Sequence, residues 1–201
     1  MSYPIPKKIT KYTFAQYMQM EETSTERHDF YYGEVFAMAG ARVPHHQICQ
    51  NINASLLQAF KPKGCFVSLE GVRLELVSEN FYVYPDVFLT CDDKDKKNDL
   101  YKKHPSIIFE VLPEFTMAYD AQVKLTYHKK IESLNYYVLV SQEEIKVQVY
   151  SRIDNSQIWQ YQTYEIMEEI IDFDRLGFAL PVETIYDGIG FDEENLETAF
   201  L

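Results

Sequence analysis

A nearly continuous apolar run with one carboxylate inside it constrains this chain more than any other feature. Residues 106–112 read SIIFEVL, which is the length of one strand, and Glu110 interrupts the run. Such a run predicts a buried strand. Burying an unpaired charge there would cost several kcal/mol. The sequence therefore predicts a sheet with a polar group built into its interior.

Two further carboxylates stand in apolar strand-like runs. Asp86 follows Pro85 within residues 81–90, and Glu34 follows Gly33. For each carboxylate taken alone, a structural explanation is as good as a functional one: backbone donors at a strand end satisfy it, or it points to solvent. Three of them in neighbouring strands favour a shared reason, and a hard divalent cation is the obvious one. Mg²⁺ prefers oxygen ligands, often one or two carboxylates with waters and a substrate phosphate.

The charge of the chain is unevenly distributed. The 201 residues carry 31 acidic and 19 basic side chains, a net charge of −12. Residues 165–201 alone hold 11 acidic residues and one basic residue. The overall charge argues against a nucleic-acid partner at first sight, but most of it lies outside the proposed strands. The acidic segment is explained by a solvated surface; shielding of a basic groove or mimicry of nucleic acid stays open. We expect one domain over residues 1–201.

Cysteine use and hydropathy indicate a cytoplasmic protein. The three cysteines are an odd number without CxxC spacing, which argues against a disulfide framework and a zinc knuckle. No run approaches the ~18 apolar residues of a membrane span, and the start has no apolar signal core. We expect no membrane association.

Periodicity predicts an α/β or α+β chain built on a mixed sheet. The predicted elements are a helix over 13–22, two strands within 28–38 joined at Tyr32-Gly33, a helix ending at Phe60, strands within 65–76 broken at Gly71, a strand over 81–90, an exposed loop over 92–103, the buried strand, a helix over 119–134 and an antiparallel meander over 136–164.

One face of the predicted helix over 119–134 carries Asp120, Lys124 and either Tyr127 or His128. A helix that follows a strand can pack back across the sheet, which would bring Lys124 near Glu110. The alternative is a surface Asp–Lys pair worth a few tenths of a kcal/mol.

An ordered series of motifs resembles a family of restriction-endonuclease-like proteins within the PD-(D/E)XK nuclease superfamily, long filed as a domain of unknown function. The resemblance extends from about residue 13 to residue 188. The motifs are GE at 33–34, PD at 85–86, EVL at 110–112, the series Thr116, Tyr119, Asp120, Lys124 and Tyr127, and YVLV at 137–140.

The resemblance implies a restriction-endonuclease-like fold with a mixed central sheet flanked by helices. It also implies a Mg²⁺-dependent phosphodiesterase centre with Mn²⁺ as a substitute, a DNA substrate and a homodimer. Asp86 and Glu110 would be the metal ligands, and the backbone carbonyl of Val111 a further ligand. Glu34 would be the upstream acidic residue and Lys124 the catalytic lysine.

The sequence also departs from the family pattern. Leu112 stands where the superfamily has its lysine, which is why Lys124 is the candidate. The segments EVLPEFT at 110–116 and DAQVK at 120–124 lack serines, a glycine and a basic residue that the family has. His45 matches a family histidine, for which capping or packing and a substrate or catalytic role are alternatives.

The sequence favours a metal-dependent endonuclease acting on DNA. The alternative is a catalytically silent dimeric module of the same fold that binds a partner or regulates it. RNA cleavage is a third, weaker hypothesis, because no RNA-specific module is present.

Overall fold

Two β-sheets that pack face to face form the centre of the structure. The computed structural model describes residues 11–38, 42–113, 124–154 and 156–191. The strands are β1 (His28–Tyr31), β2 (Glu34–Ala37), β3 (Phe66–Leu69), β4 (Arg73–Val77), β5 (Phe81–Val83), β6 (Val87–Thr90), β7 (Tyr101–Lys102), β8 (Ile107–Leu112), β9 (Tyr136–Ser141), β10 (Val147–Arg152), β11 (Trp159–Tyr164), β12 (Ile170–Phe173) and β13 (Phe178–Pro181). The helices are α1 (Phe14–Thr23), α2 (Val43–Phe60), α3 (Asp93–Lys96), α4 (124–128) and α5 (Val182–Ile185).

Both large sheets are mixed. The six-stranded sheet has the order β11-β10-β9-β8-β6-β3, with β8 and β9 parallel and its other pairs antiparallel. The five-stranded sheet has the order β2-β1-β5-β4-β7, with β4 and β7 parallel. Strands β12 and β13 form a separate antiparallel pair. The predicted mixed sheet and the meander of β9, β10 and β11 are confirmed.

Alternation along each strand assigns its side chains to one of three hydrophobic cores. In β8, Ile107 and Phe109 face the core under α2, whereas Ile108 faces the core between the two sheets. In β5, Phe81 belongs to the core between the sheets, whereas Tyr82 packs under α1 on the outer face. The order of layers is therefore α1, the five-stranded sheet, the six-stranded sheet and α2.

The two helices that cover the sheets begin where the sequence indicates. A capping box starts α1: the Gln16 amide donates to Thr13 Oγ1 at 3.2 Å, and the Thr13 amide donates to the Gln16 side chain at 2.8 Å. Helix α2 has a proline in its first turn, a position that needs no backbone donor. None of the helices in the described ranges is long and apolar enough to cross a membrane.

The predicted strand over residues 81–90 is wrong in one respect that shapes the site. It divides into β5, in the five-stranded sheet, and β6, in the six-stranded sheet. Residues 84–86 join them, and Pro85 has no amide to donate to a ladder. The chain therefore crosses between the sheets here, and Asp86 is the last residue of the crossing.

The exposed loop predicted over residues 92–103 is also only partly correct. It contains α3 and β7, and Asp95 and Lys102 are buried. Asp95 accepts hydrogen bonds from Thr90 Oγ1 and from the amides of Lys103 and His104, each at 2.9 Å. These hydrogen-bond partners come together only when the chain folds. The high content of charged residues in the sequence therefore did not reveal that Asp95 and Lys102 are buried.

Much of the acidic C-terminal segment is built into the fold. Ile171 and Phe173 of β12, with Leu180 of β13 and Ile185 of α5, belong to the core under α2. Acidic side chains of the same stretch, such as Glu168, face solvent. The described part of the segment is therefore a structural cover with an acidic outer surface.

One disulfide corrects the expectation from cysteine use. Cys65 and Cys91 are bonded, whereas Cys49 is free and buried. The two bonded residues directly flank the antiparallel pair of β3 and β6, where Phe66 lies opposite Thr90. Pairing of strands that are distant in sequence brought the cysteines together, and an odd count excludes only the pairing of all three.

Candidate metal centre

Asp86 occupies the crossing between the two sheets and contacts two elements, β8 and α2. Its Oδ2 accepts a hydrogen bond from the Val111 amide of β8 at 2.7 Å. The same oxygen lies 3.2 Å from Nε2 of His45, in the first turn of α2. Burial by itself lowers the pKa of His45, but the hydrogen bond and charge of Asp86, with Glu70, raise it above its ordinary value. Asp86 is thus held by β8 and by α2.

Glu110 is a buried carboxylate between the sheets. Alternation places it on the same side of β8 as Ile108, which belongs to the core between the sheets. Burial raises the pKa of Glu110 to about 8; the charge of Asp86 adds to the effect, and the charge of Lys124 opposes it. Without a cation, the carboxyl group keeps its proton at neutral pH.

The surroundings of Glu110 fit a bound divalent cation. Its Oε1 is buried and has no hydrogen-bond partner among the described residues. An unpartnered buried carboxylate oxygen is costly, and a cation is the partner that would favour its charged form. Asp86 and Glu110 supply the hard oxygen ligands that Mg²⁺ and Mn²⁺ accept.

Lys124 reaches this region from α4, the first described element after β8. Its Nζ lies 2.7 Å from Oδ2 of Asp29 in β1. Asp29 also accepts a hydrogen bond from the Tyr84 amide at 3.2 Å, and its charge contributes to the raised pKa of Glu110. The structure therefore brings Asp29 and Lys124 into the electrostatic neighbourhood of Glu110.

The carboxylate of β1 that contacts Lys124 is Asp29. Glu34, the residue predicted from the sequence, is the first residue of β2 and lies opposite Tyr31 in the ladder with β1. In the described ranges, no hydrogen bond or ion pair joins its side chain to the other site residues. Alternation offered a signal for Asp29: because Phe30 packs under α1, Asp29 faces the opposite side of the sheet.

His128 is a second buried group that the sequence did not assign. Its ring stacks on Tyr137 at 4.8 Å, and its Nε2 lies 4.0 Å from Oε1 of Glu110. Burial lowers the pKa of His128 to about 3, and Lys124 adds to the effect, so the imidazole is neutral. Tyr127, the other candidate at this turn, has its hydroxyl 3.3 Å from that of Tyr31.

Asp120, Thr116 and Tyr119 lie outside the described residues, as do the first five residues of the predicted helix over 119–134. In its described part, residues 124–128 are helical and turns follow.

A groove of about 740 Å³ opens beside Asp86. Arg27, before β1, and Arg42, the N-cap of α2, both line it. Val111 also borders the groove, which places this predicted ligand residue next to Asp86. The other lining residues are Glu26, Met38, His45, Leu69, Glu70, Gly71, Pro113 and Gln142.

Comparison with known proteins assigns the chain to a family. The profile of the Uma2 family, described as "Putative restriction endonuclease", matches residues 14–183. This chain belongs to that family. Two similar relatives from Synechocystis sp. are uncharacterized proteins: slr1290 is 27% identical over 190 residues, covering 94% of this chain and 97% of its own, and sll1609 is 27% identical over 147 residues, covering 72% and 83%.

A solved structure shows the same fold. A crystal structure titled as a putative nuclease belonging to DUF820 from Anabaena variabilis superimposes with a TM-score of 0.68 at 12% identity, covering 87% of this chain and 97% of that one. The fold of this chain is therefore restriction-endonuclease-like, with mixed sheets flanked by helices, as the sequence resemblance implied.

Proposed function

We propose that this protein is a Mg²⁺-dependent endonuclease that hydrolyses DNA phosphodiester bonds and acts as a homodimer. One observation carries the proposal: Glu110 is buried with an oxygen that has no hydrogen-bond partner in the described part of the chain, in the electrostatic field of Asp86, Asp29 and Lys124. A carboxylate in that position is costly to the fold unless a cation joins it. Membership of the family described as "Putative restriction endonuclease" and a neighbour titled as a putative nuclease support the same reaction class.

Each residue of the centre has a proposed task. Asp86 and Glu110 hold the ion, with the carbonyl of Val111 as a further ligand. Mg²⁺ held by these residues would polarise the phosphate and lower the pKa of a water for attack on phosphorus. The ammonium of Lys124, oriented by Asp29 at 2.7 Å, offsets negative charge on the phosphate oxygens.

The groove supplies contacts for the nucleic-acid backbone. Arg27 and Arg42 line it, and arginine forms paired hydrogen bonds with phosphate oxygens. Such contacts position a duplex without reading its sequence. Because two acidic residues, Glu26 and Glu70, line the same groove, binding should be weak and strongly salt-sensitive.

Nicking of supercoiled plasmid in Mg²⁺ tests the proposal. The substitutions Glu110→Gln and Asp86→Asn keep side-chain volume and remove a ligand charge. We expect each to reduce cleavage by at least about 100-fold, because even residues that merely support metal ligands contribute 10–100-fold. Glu168→Gln, in the exposed turn between β11 and β12, is the matched control and should cleave as wild type does.

Undiminished cleavage by both site variants would overturn the assignment. Calorimetric titration with Mg²⁺ distinguishes the endonuclease from the catalytically silent dimeric module. The endonuclease should bind Mg²⁺ through Asp86 and Glu110, whereas the silent module needs no such binding. An RNA substrate assayed in parallel identifies the nucleic acid, and sedimentation equilibrium tests the dimer.

A further inference from the structure

Three side chains of different ligand chemistry meet where α2 passes Asp86. His45 and Cys49 are four residues apart on α2, so they lie on one face of the helix. Nδ1 of His45 lies 3.7 Å from Sγ of Cys49, and Nε2 of His45 lies 3.2 Å from Oδ2 of Asp86. One ligand atom from each residue lies within 4.8 Å of the other two.

We propose that His45, Cys49 and Asp86 bind a borderline-soft divalent cation, of the class of Zn²⁺ and Co²⁺. Imidazole nitrogen and thiolate sulfur are ligands that these ions accept, whereas Mg²⁺ takes oxygen. Bond lengths for tetrahedral zinc place ligand atoms about 3.4 to 3.6 Å apart. Because a single nitrogen of His45 binds the ion, one of the two contacts, at 3.7 or 3.2 Å, is a distance between ligands of the same ion, and the full set of ligand atoms lies within 4.8 Å.

The charge of the cluster matches a divalent ion. Cys49 is fully buried, and its Sγ lies 3.7 Å from Nδ1 of His45. Once a metal displaces the thiol proton, one thiolate and one carboxylate beside a neutral imidazole balance the two charges of the ion.

The site has a path from solvent. His45 and Asp86 both line the groove, while Cys49 closes the inner side within the core under α2. Three protein ligands leave a fourth position of a tetrahedral ion for water or a substrate atom. One imidazole nitrogen binds one ion, so coordination exchanges one of the present His45 contacts for a bond to the metal.

The same contacts also form a chain of hydrogen bonds from Asp86 through His45 to Cys49. This arrangement resembles the carboxylate, histidine and cysteine in the catalytic site of a thiol hydrolase. Such an enzyme needs a nucleophile that substrate can reach and whose thiolate is favoured. Cys49 is inaccessible to solvent, so a substrate cannot reach its sulfur. The chain of hydrogen bonds is therefore the ion-free form of the site rather than a nucleophilic centre.

This site does not depend on the proposed nuclease activity. It shares Asp86 with the proposed Mg²⁺ site of Asp86 and Glu110. Its other two ligands come from α2, and Glu110 is not one of them. A substitution of Glu110 that destroys the Mg²⁺ site should therefore leave the nitrogen and sulfur ligands in place.

Titration of the metal-free full-length protein with Co²⁺ tests the proposal. Co²⁺ bound by a thiolate has a near-ultraviolet charge-transfer band, and Cys49 is the free cysteine because Cys65 and Cys91 are bonded. We expect the wild-type band to saturate at one equivalent and to disappear when Zn²⁺ is added. The band should be absent from Cys49→Ser and should persist in Glu110→Gln.

A matched pair of histidines provides the control. His45→Gln should weaken Co²⁺ binding at least tenfold, whereas His46→Gln should not, because His46 is half exposed and pairs with Gln50. Absence of the band from wild type overturns the proposal, and this measurement requires no variant to fold. A band of unchanged intensity in Cys49→Ser, with circular dichroism showing a folded protein, overturns it as well.

Discussion

Replacement of Glu110 by glutamine should change how the stability of the metal-free protein depends on pH. The pKa of Glu110 rises from 4.5 to about 8 on folding, mainly through burial. Below pH 4.5 the group is protonated in the folded and unfolded states, and it does not affect their balance. As pH rises from there to 8, only the unfolded chain loses the proton, so the folded protein loses stability.

The expected magnitude follows from those two values. Each pKa unit corresponds to about 1.4 kcal/mol, so wild type should lose about 3 to 4 kcal/mol between pH 5 and pH 8 through this group alone. Glutamine cannot ionise and forfeits no such stability. The variant should therefore resemble wild type at pH 5 and exceed it by several kcal/mol at pH 8.

Urea unfolding in a chelator, followed by circular dichroism at both pH values, measures this difference. Asp86→Asn serves as a second probe, because the charge of Asp86 is the next largest contribution to the raised pKa after burial. It should reduce the pH dependence without abolishing it. A free-energy difference between wild type and Glu110→Gln that is the same at pH 5 and pH 8 would refute the assignment of a buried, protonated carboxyl group.

Added Mg²⁺ extends the same experiment. A cation that binds the ionised form should restore wild-type stability most strongly at pH 8, in proportion to the logarithm of its concentration. The variant should show little stabilisation. Equal stabilisation of both proteins would place the ion elsewhere.

Three further predictions concern the surroundings of the centre. Asp29→Asn should reduce plasmid cleavage by at least tenfold and Glu34→Gln by less than twofold, because Asp29 alone of the two contacts the lysine of α4; the reverse order would favour the residue predicted from the sequence. Arg42→Gln should weaken DNA binding and lower the slope of log affinity against log salt by about 1, measured by fluorescence anisotropy, and an unchanged slope would remove this arginine from the phosphate contacts. The double substitution of Cys65 and Cys91 by serine should lower the free energy of unfolding under oxidising conditions by about 3 kcal/mol, since the bond closes a loop with a sequence separation of 26. In reductant, wild type should be as stable as the variant. A difference in stability between the two proteins in reductant would contradict the assignment of the effect to the disulfide.

Local patterns were sufficient for the elements that hold the centre. The apolar run around Glu110 is a buried strand, the turn at Tyr32-Gly33 joins two strands, and the meander after Asn135 is antiparallel. These features follow from the period of apolar residues and from turn chemistry, which act within a few residues along the chain.

Other features needed the packed fold. Alternation shows which face of β1 carries Asp29, but only the packing of the two sheets shows that this face meets Lys124. The break between β5 and β6 is invisible to hydropathy, because both strands are apolar and only their pairing partners differ. Pairing between distant strands also decided that Cys65 bonds to Cys91 and that Cys49 stays free.

The sequence by itself determined that this chain buries a carboxylate, Glu110, in a strand of a mixed sheet, and that Asp86 stands within a second apolar run. The tertiary structure decided which groups surround them: Asp29 in contact with Lys124, a buried His128, and the nitrogen and sulfur of α2 beside Asp86. The physical reason is the distance along the chain over which each effect acts. Strand periodicity and turn preference are set by neighbours in sequence, whereas the pKa of a buried group and the contents of a ligand cluster depend on residues brought close only by folding.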